Sequence, residues 1–190
     1  MAAGTSQNVV NEALALIGYD GFPVSGPAPN FDNSVPGKIA QAVYPYAVAA
    51  VARINSWSFP RTVATLAATG NAAPFPWSVE YGFPAGCIDV WQIASPSDGP
   101  NNPIPRSWAR GVATVSLVQS SVIWTNLSPA VAIYNSNPLE SAWDQLFWET
   151  VVTYLAARFA LADLGKPDLG AFYIEQWRQM IPLAAERTDS

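Results

Sequence analysis

The sequence predicts an α+β fold, mainly α: a four-helix bundle with an antiparallel β-meander inserted between its second and third helices. Three observations predict it. Apolar residues recur three and four apart over residues 5–17, 35–55, 141–162 and 168–181, the helical period. Between these segments, residues 57–138 carry recurring Pro and Gly and runs that alternate every second residue, the strand period. At 190 residues the chain has room for one domain, or for one domain with an elaborated insert. Helices at both ends can then bury their stripes in one core. The expected organisation is residues 1–56, the N-terminal helices; 57–139, the β-rich insert; and 140–190, the helices that complete a single composite domain.

In the first helix Val10, Leu14 and Ile17 share a face, with Ala13 beside them. Thr5 or Ser6 can cap its start, and Gly18 stands where a glycine ends a helix. Gly21, Pro23, Gly26, Pro27 and Pro29 make residues 19–33 a loop. The second helix is expected over 35–55, capped by Ser34, with Pro36 in the first turn where a missing N–H costs nothing. Its expected stripe is Ile39, Val43, Tyr46 or Ala47, Ala50 and Ile54. The run Ala47, Ala49, Ala50, Ala52 allows close approach of another helix. Pro45 is interior, where proline costs on the order of 3 kcal/mol, so a kink is expected there.

In the insert, residues 87–93 read as one strand. Residues 112–118 alternate Ala113, Val115 and Leu117 against Thr114 and Ser116. Gln119-Ser120-Ser121 reads as a turn into a strand over 122–125, and residues 131–134 as another strand. Residues 111–139 contain no charged side chain, which suits a buried strand pair or a sheet face shared with a second copy. Helix resumes near Ser141, with Phe147, Val151, Tyr154 or Leu155, Phe159 and Ala162 as its stripe. Gly165-Lys166-Pro167 is a stop signal. Asp168 is expected to cap a last helix bearing Tyr173, Trp177 and Met180 or Ile181 on one face, which Pro182 ends or bends.

Composition narrows the chemistry. With no His and one Cys, a Cys/His zinc site, a His-ligated haem, a Ser-His-Asp triad and a Cys-His pair are all excluded. One Cys also excludes an intramolecular disulfide; Cys87 is expected as a small buried hydrophobe. Nine Lys+Arg against 14 Asp+Glu, a net charge of −5, argue against a groove that grips phosphates. The first residues lack a basic region followed by an apolar run, so no secretory signal is expected. No run of about 18 apolar residues occurs, so no membrane-spanning helix is expected. Only 12% of residues are charged, against roughly a quarter in ordinary domains, while there are 17 Pro and eight Trp. That balance suggests a surface covered by other molecules.

Paired carboxylates are the one catalytic chemistry left open. Glu140, Asp144 and Glu149 open the third helix, with Glu140 and Asp144 four apart on one face, and Glu12 lies off the stripe of the first helix. Acids in a first helical turn also complement the helix dipole, which is the reading favoured here. Asp89 is expected on the outward face of its strand. The eight Trp are spread over every element instead of clustering on one strand, so core and interface packing explains them better than a sugar platform. Arg53, Arg61, Arg106 and Arg110 interleave with Trp57 and Trp108; on an acidic chain, pairing within or between subunits is favoured over nucleic acid. No Gly-rich phosphate loop is present, and no cofactor or metal is expected.

Several segments, taken in order, resemble one family. Asn11-Glu12-Ala13-Leu14-Ala15-Leu16-Ile17-Gly18 resembles the N-x-x-L-x-x-I-G opening helix of the head-to-tail adaptor proteins of short-tailed bacteriophages, also called tail tubular protein A. Ala52-Arg53-Ile54-Asn55-Ser56-Trp57-Ser58-Phe59 is similar to that family's helix closing on W-x-F. Glu80-Tyr81-Gly82-Phe83-Pro84-Ala85-Gly86-Cys87-Ile88-Asp89-Val90 resembles its Y-x-x-P-x-D-C-L-x-V segment, with Gly86 where the family has an acid. Residues 149–162 are similar to its third helix.

The resemblance implies a structural virion protein at the head–tail junction. It implies a ring of identical subunits, typically twelve, docked under the portal protein and presenting its other face to the tail tube or nozzle. DNA would pass through the channel without sequence-specific binding, and no membrane would be involved. The insert would face the tail and residues 169–190 would reach the portal, with Phe172, Tyr173, Trp177 and Arg178 as candidate docking residues. Packing of Tyr173 and Trp177 on the protein's own third helix is the competing expectation. Candidate inter-subunit residues are Arg53, Arg106, Trp108 and Arg110. Two other functions are weighed against this one: a peptidoglycan-degrading virion enzyme resting on Glu12, Glu140, Asp144 or Glu149, and a carbohydrate-binding module resting on the Trp set.

Overall fold

A computed structural model describes residues 4–54, 57–98, 104–115, 118–137, 139–162 and 166–186. The fold is mixed α and β. In chain order the elements are α1 (Ser6–Leu16), α2 (Val35–Ile54), β1 (Arg61–Thr65), β2 (Val79–Gly82), β3 (Cys87–Ala94), β4 (Trp108–Val115), β5 (Val118–Thr125), β6 (Val131–Ser136), a 3-10 turn (Glu140–Ala142), α3 (Gln145–Ala162) and α4 (Pro167–Glu186). Contacts divide the chain into a helical unit, Met1–Phe59 with Asn137–Ser190, and a β unit, Pro60–Ser136. The boundaries read from the sequence were 56/57 and 139/140.

In the helical unit α3 is the hub, and α1, α2 and α4 each pack on it. Its buried residues therefore lie on almost every side, from Phe147 and Thr150–Thr153 to Leu155–Ala157, Phe159 and Ala160. A single stripe was expected, and Ala162 is exposed instead of completing it. A centre of three helices on one accounts for the difference. The expected α2 stripe is also shifted. Ala40, Tyr44, Ala47, Val48, Val51 and Ala52 are buried, while Tyr46 is 75% exposed. Small Ala side chains alternate with Tyr44, Val48 and Val51 on this buried face. Tyr44 turns inward to stack edge-on against Phe31, with ring centroids 5.6 Å apart, and donates to Glu140 Oε1 at 2.8 Å. Burial first, then that bond and the Glu140 charge, push the Tyr44 phenol well above its ordinary range, so it remains a neutral donor.

Thr5 caps α1, its Oγ1 accepting from Asn8 N at 3.3 Å, and Gly18 follows at φ +65°. Ser34 caps α2 by accepting from Gly37 N at 3.1 Å. The loop before it is knotted by Asp32, whose carboxylate accepts from the backbone N–H and hydroxyl of both Ser25 and Ser34. The Ser34 hydroxyl, then the two backbone donors, bring Asp32 down to about 2. α2 runs through Pro45 to Ile54, and α4 continues past Pro182 to Glu186, so Pro182 does not end the last helix. Asp168 lies in the first turn of α4 and is not its cap; the Lys166 carbonyl accepts from Gly170 N at 3.0 Å instead. Asn55, Ser56, Gly165 and residues 187–190, on which parts of the sequence reading fall, lie outside the described residues.

The β unit corrects the expected meander. It holds two three-stranded antiparallel sheets, ordered β1-β6-β3 and β2-β5-β4. Two isolated bridges flank them: Ala68, beyond β1, to Tyr81 of β2, and Arg106, ahead of β4, to Ile93 of β3. The enclosed core is Leu66, Tyr81, Val90, Ile93, Ile123, Ala130, Ala132 and Tyr134. Gln119-Ser120-Ser121, expected as a turn, sits inside β5, paired with Thr114, Ala113 and Val112. Gln119 and Ser120 are exposed there, and an exposed polar strand end resembles a turn in composition. Ser116 and Leu117 lie outside the described residues.

Glu80 is the most constrained side chain of the β unit. Although 5% exposed, its carboxylate accepts from Thr69 Oγ1 at 2.7 Å, Asn71 Nδ2 at 2.8 Å and Trp124 Nε1 at 2.9 Å. Burial alone would raise its pKa, but the three donors outweigh burial and hold the carboxyl below its ordinary value. The indole of Trp124 reaches Glu80 by lying across Gly111, where any Cβ would overlap the ring. Gly111→Ala is therefore expected to displace that indole and cost about 2 kcal/mol. A chemical-denaturation curve and the near-ultraviolet dichroism of the variant check this.

Candidate functional site

Of the candidate docking residues, Phe172 and Tyr173 line one side of a groove in the helical unit, a cavity of about 370 Å³. Glu12 and Leu16 of α1 and Glu149 and Val152 of α3 line the rest, with Met180 further along α4. The walls are held in place. Tyr173 Oη donates to Leu16 O at 2.8 Å, and Lys166 Nζ donates to Ile17 O at 2.6 Å, so α4 is pinned to the last carbonyls of α1. Trp148 Nε1 donates to Glu12 Oε2 at 2.7 Å, and Gln145 Nε2 to Glu149 Oε1 at 2.8 Å. Leu16 and Phe172 are 43% and 53% exposed, so two large apolar side chains stand open at the groove beside the exposed Glu12, Glu149 and Gln176.

Trp177 lies outside this groove lining. Its ring is half-buried and stacks obliquely on Tyr154 of α3 with centroids 4.9 Å apart, which is the intra-chain packing weighed for it. Its Nε1 is buried with no acceptor among the described residues. Trp177→Phe keeps the ring contact and removes that N–H, so stability is expected to hold or rise by up to about 1 kcal/mol, whereas Trp177→Ala is expected to lose about 2 kcal/mol. Thermal melts of the two variants check this ordering. Arg178 pairs with Glu175 at 3.6 Å, both well exposed.

The four candidate inter-subunit residues do not form one patch within a unit. Arg53 is exposed in the last turn of α2, in the helical unit. The other three belong to the β unit and make intra-chain contacts. Arg106 pairs with Asp98 at 3.4 Å. Arg110 pairs with Asp89 at 3.7 Å and lies 4.8 Å from the centroid of Phe83. Trp108 packs on the β core. Asp89, expected to face outward, is half-buried against Arg110. Cys87 is half-buried too, and burial, then Asp89, push its thiol up to about 11 against the opposing pull of Arg110, which keeps it protonated and inert.

The carboxylates considered for catalysis hold structure. Asp144 caps α3, accepting from Phe147 N at 2.7 Å, and Glu140 accepts from Tyr44. Glu12 and Glu149 both line the groove. All eight Trp are buried or half-buried, in line with packing as their role. Phenylalanine dominates the exposed aromatics instead: Phe75 at 98% and Phe22 at 92%, then Tyr46. Among the described residues no cluster of three or more potential metal ligands occurs, and no helix is long and apolar enough to cross a membrane.

The motif residues occupy packing positions. Asn11 clamps the Val24 backbone through two bonds of 2.8 and 2.9 Å, while Leu14 and Ile17 are buried. Trp57 and Phe59 each stand edge-on to Phe147 at 5.0 Å. Tyr81 is buried and donates to Leu127 O at 3.1 Å. Neither a scan against protein-family models nor a search of curated proteins returns a match for this chain. The groove went unread in the sequence, although Glu12 and Leu16, and Phe172, Gln176 and Met180, recur at helical spacing and carry that signal.

Proposed function

We propose that the chain is a structural virion protein, a ring-forming head-to-tail adaptor of the kind its motifs resemble. In this reading it is not an enzyme. Copies of it, typically twelve, dock under the portal, continue the DNA channel and carry the tail tube or nozzle. The helical unit, with α1, α2 and α4 around α3, is taken as the four-helix bundle of such an adaptor, and the β unit as the part that faces the tail. The observation that carries the proposal is the apolar exterior of a weakly charged chain. Phe75, Phe22, Tyr46 and Leu139 are each more than 70% exposed, and only 12% of residues are charged. Subunit and partner contacts would cover such side chains. Particles assembled without this protein are expected to package DNA and then lose it; particles that retain their genome in its absence would contradict the proposal.

The peptidoglycan-degrading reading keeps one observation, Glu12 and Glu149 on one groove. A zymogram decides it: clearing by the wild-type chain that Glu12→Gln or Glu149→Gln abolishes would favour the enzyme.

A further inference from the structure

We infer that the groove between α1, α3 and α4 receives a cationic, apolar segment of a partner protein: a Lys or Arg side chain between the carboxylates of Glu12 and Glu149, and a neighbouring large apolar side chain against Leu16, Phe172 and Met180. The inference rests on the adaptor proposal only for who supplies the segment. Three properties of the groove determine the chemistry. Its volume, about 370 Å³, lies at the small end of ligand-sized pockets, which run from about 300 to 1,000 Å³. Among the described lining residues the acidic side chains are Glu12 and Glu149, and none is Lys or Arg. Of the basic residues near its lining in sequence, Lys166 donates to the carbonyls of Ile17 and Gly18 and Arg178 pairs with Glu175, while Arg158, exposed on α3, is not among the lining residues.

The carboxylates are also preorganised. Trp148 holds Glu12 through Oε2 and Gln145 holds Glu149 through Oε1. A carboxylate accepts at both oxygens, so each retains capacity for an incoming ammonium or guanidinium. Leu16 and Phe172 add burial of carbon surface, and the Tyr173 bond to Leu16 O keeps the two walls from drifting apart. An acidic segment meets like charge here, and so does a nucleic-acid backbone.

The test uses the full-length chain and short fluorescein-labelled peptides. One alternates Leu with Lys, a second replaces every Lys by Glu, and a third replaces every Leu by Ser. The Leu/Lys peptide is expected to bind by fluorescence anisotropy, more weakly as salt is added, and the other two to bind at least about tenfold more weakly. Amide shifts in two-dimensional NMR should concentrate at Leu16, Val152, Phe172 and Tyr173. Glu12→Gln/Glu149→Gln, which keeps the acceptors for Trp148 and Gln145, should weaken the Leu/Lys peptide about tenfold, and so should Phe172→Ser with unchanged circular dichroism. Equal binding of the Lys and Glu peptides, no binding of the Leu/Lys peptide, shifts confined to other surfaces, or an unaffected double variant would each overturn the inference. Portal rings tell the two proposals apart. Rings that ignore the chain while the Leu/Lys peptide binds overturn the adaptor reading alone. Rings that take up the double variant as well as the wild type overturn the groove inference alone.

Discussion

Phe147→Ala is expected to destabilise the helical unit by about 4 kcal/mol, the largest loss of any single truncation considered. Phe147 is fully buried at the start of α3. Three aromatic rings stand edge-on around it: Trp57 and Phe59 at 5.0 Å and Trp143 at 4.8 Å. Edge-to-face pairs add about 0.5–1.5 kcal/mol each beyond the area they bury. Truncation removes all three and leaves a cavity that rigid rings cannot collapse to fill. Against a total stability of about 5–15 kcal/mol for a typical domain, that leaves a marginal fold. All four α-helices belong to this unit, so dichroism at the helical band reports it directly. Phe147→Leu, which keeps most of the volume, is expected to lose about 1.5 kcal/mol. Equal losses in the two variants would show that the loss comes from the ring contacts and that the buried volume contributes nothing.

Glu80→Ala is expected to cost the β unit about 3 kcal/mol, because it strands the donors of Thr69, Asn71 and Trp124 beside a buried site. The pH dependence follows from the direction of the shift. The folded-state carboxyl is held below its ordinary value of 4.5, so its contribution is present above that value and is lost as the pH falls through the folded-state value. Glu80→Gln should therefore remove part of the acid sensitivity: the stability difference between wild type and variant is expected to shrink below about pH 4.5. The Trp124 indole proton should exchange faster in both variants, which ties the loss to this cradle. A difference that stays constant down to the acid transition would mean the charge of Glu80 is not what holds it.

What the sequence made legible was local. Thr5 and Gly18 bracket α1 because cap and stop chemistry is carried by single residues. The order helix, helix, strands, helix, helix follows from periodicity alone. The α2 stripe was partly mis-phased: of its expected residues Ala47 is buried, while Ile39, Val43, Ala50 and Ile54 are half-buried and Ala40, Tyr44, Val48, Val51 and Ala52 fill the buried face. The hairpin was misplaced because strand residues such as Gln119 and Ser120, facing solvent, have turn-like composition. Tyr173 was reachable from helical spacing, whereas Phe172 was named only through the family resemblance. Their meeting with Glu12 and Glu149 was not, since it depends on three helices converging. The bonds that fix the site, Trp148 to Glu12 and Lys166 to Ile17, join residues 136 and 149 positions apart and leave no local trace. Glu80 was equally invisible: its donors come from a loop and a strand paired only in the fold.

The proposal turns on whether sister subunits and a portal cover this weakly charged, apolar surface. Sedimentation of the full-length chain mixed with purified portal rings of its own virion tests this most directly. The prediction is a complex heavier than the portal by a closed ring of copies, typically twelve, formed cooperatively as the chain is titrated in. A portal peak of unchanged mass, with the chain sedimenting as a free monomer at every ratio, would contradict it.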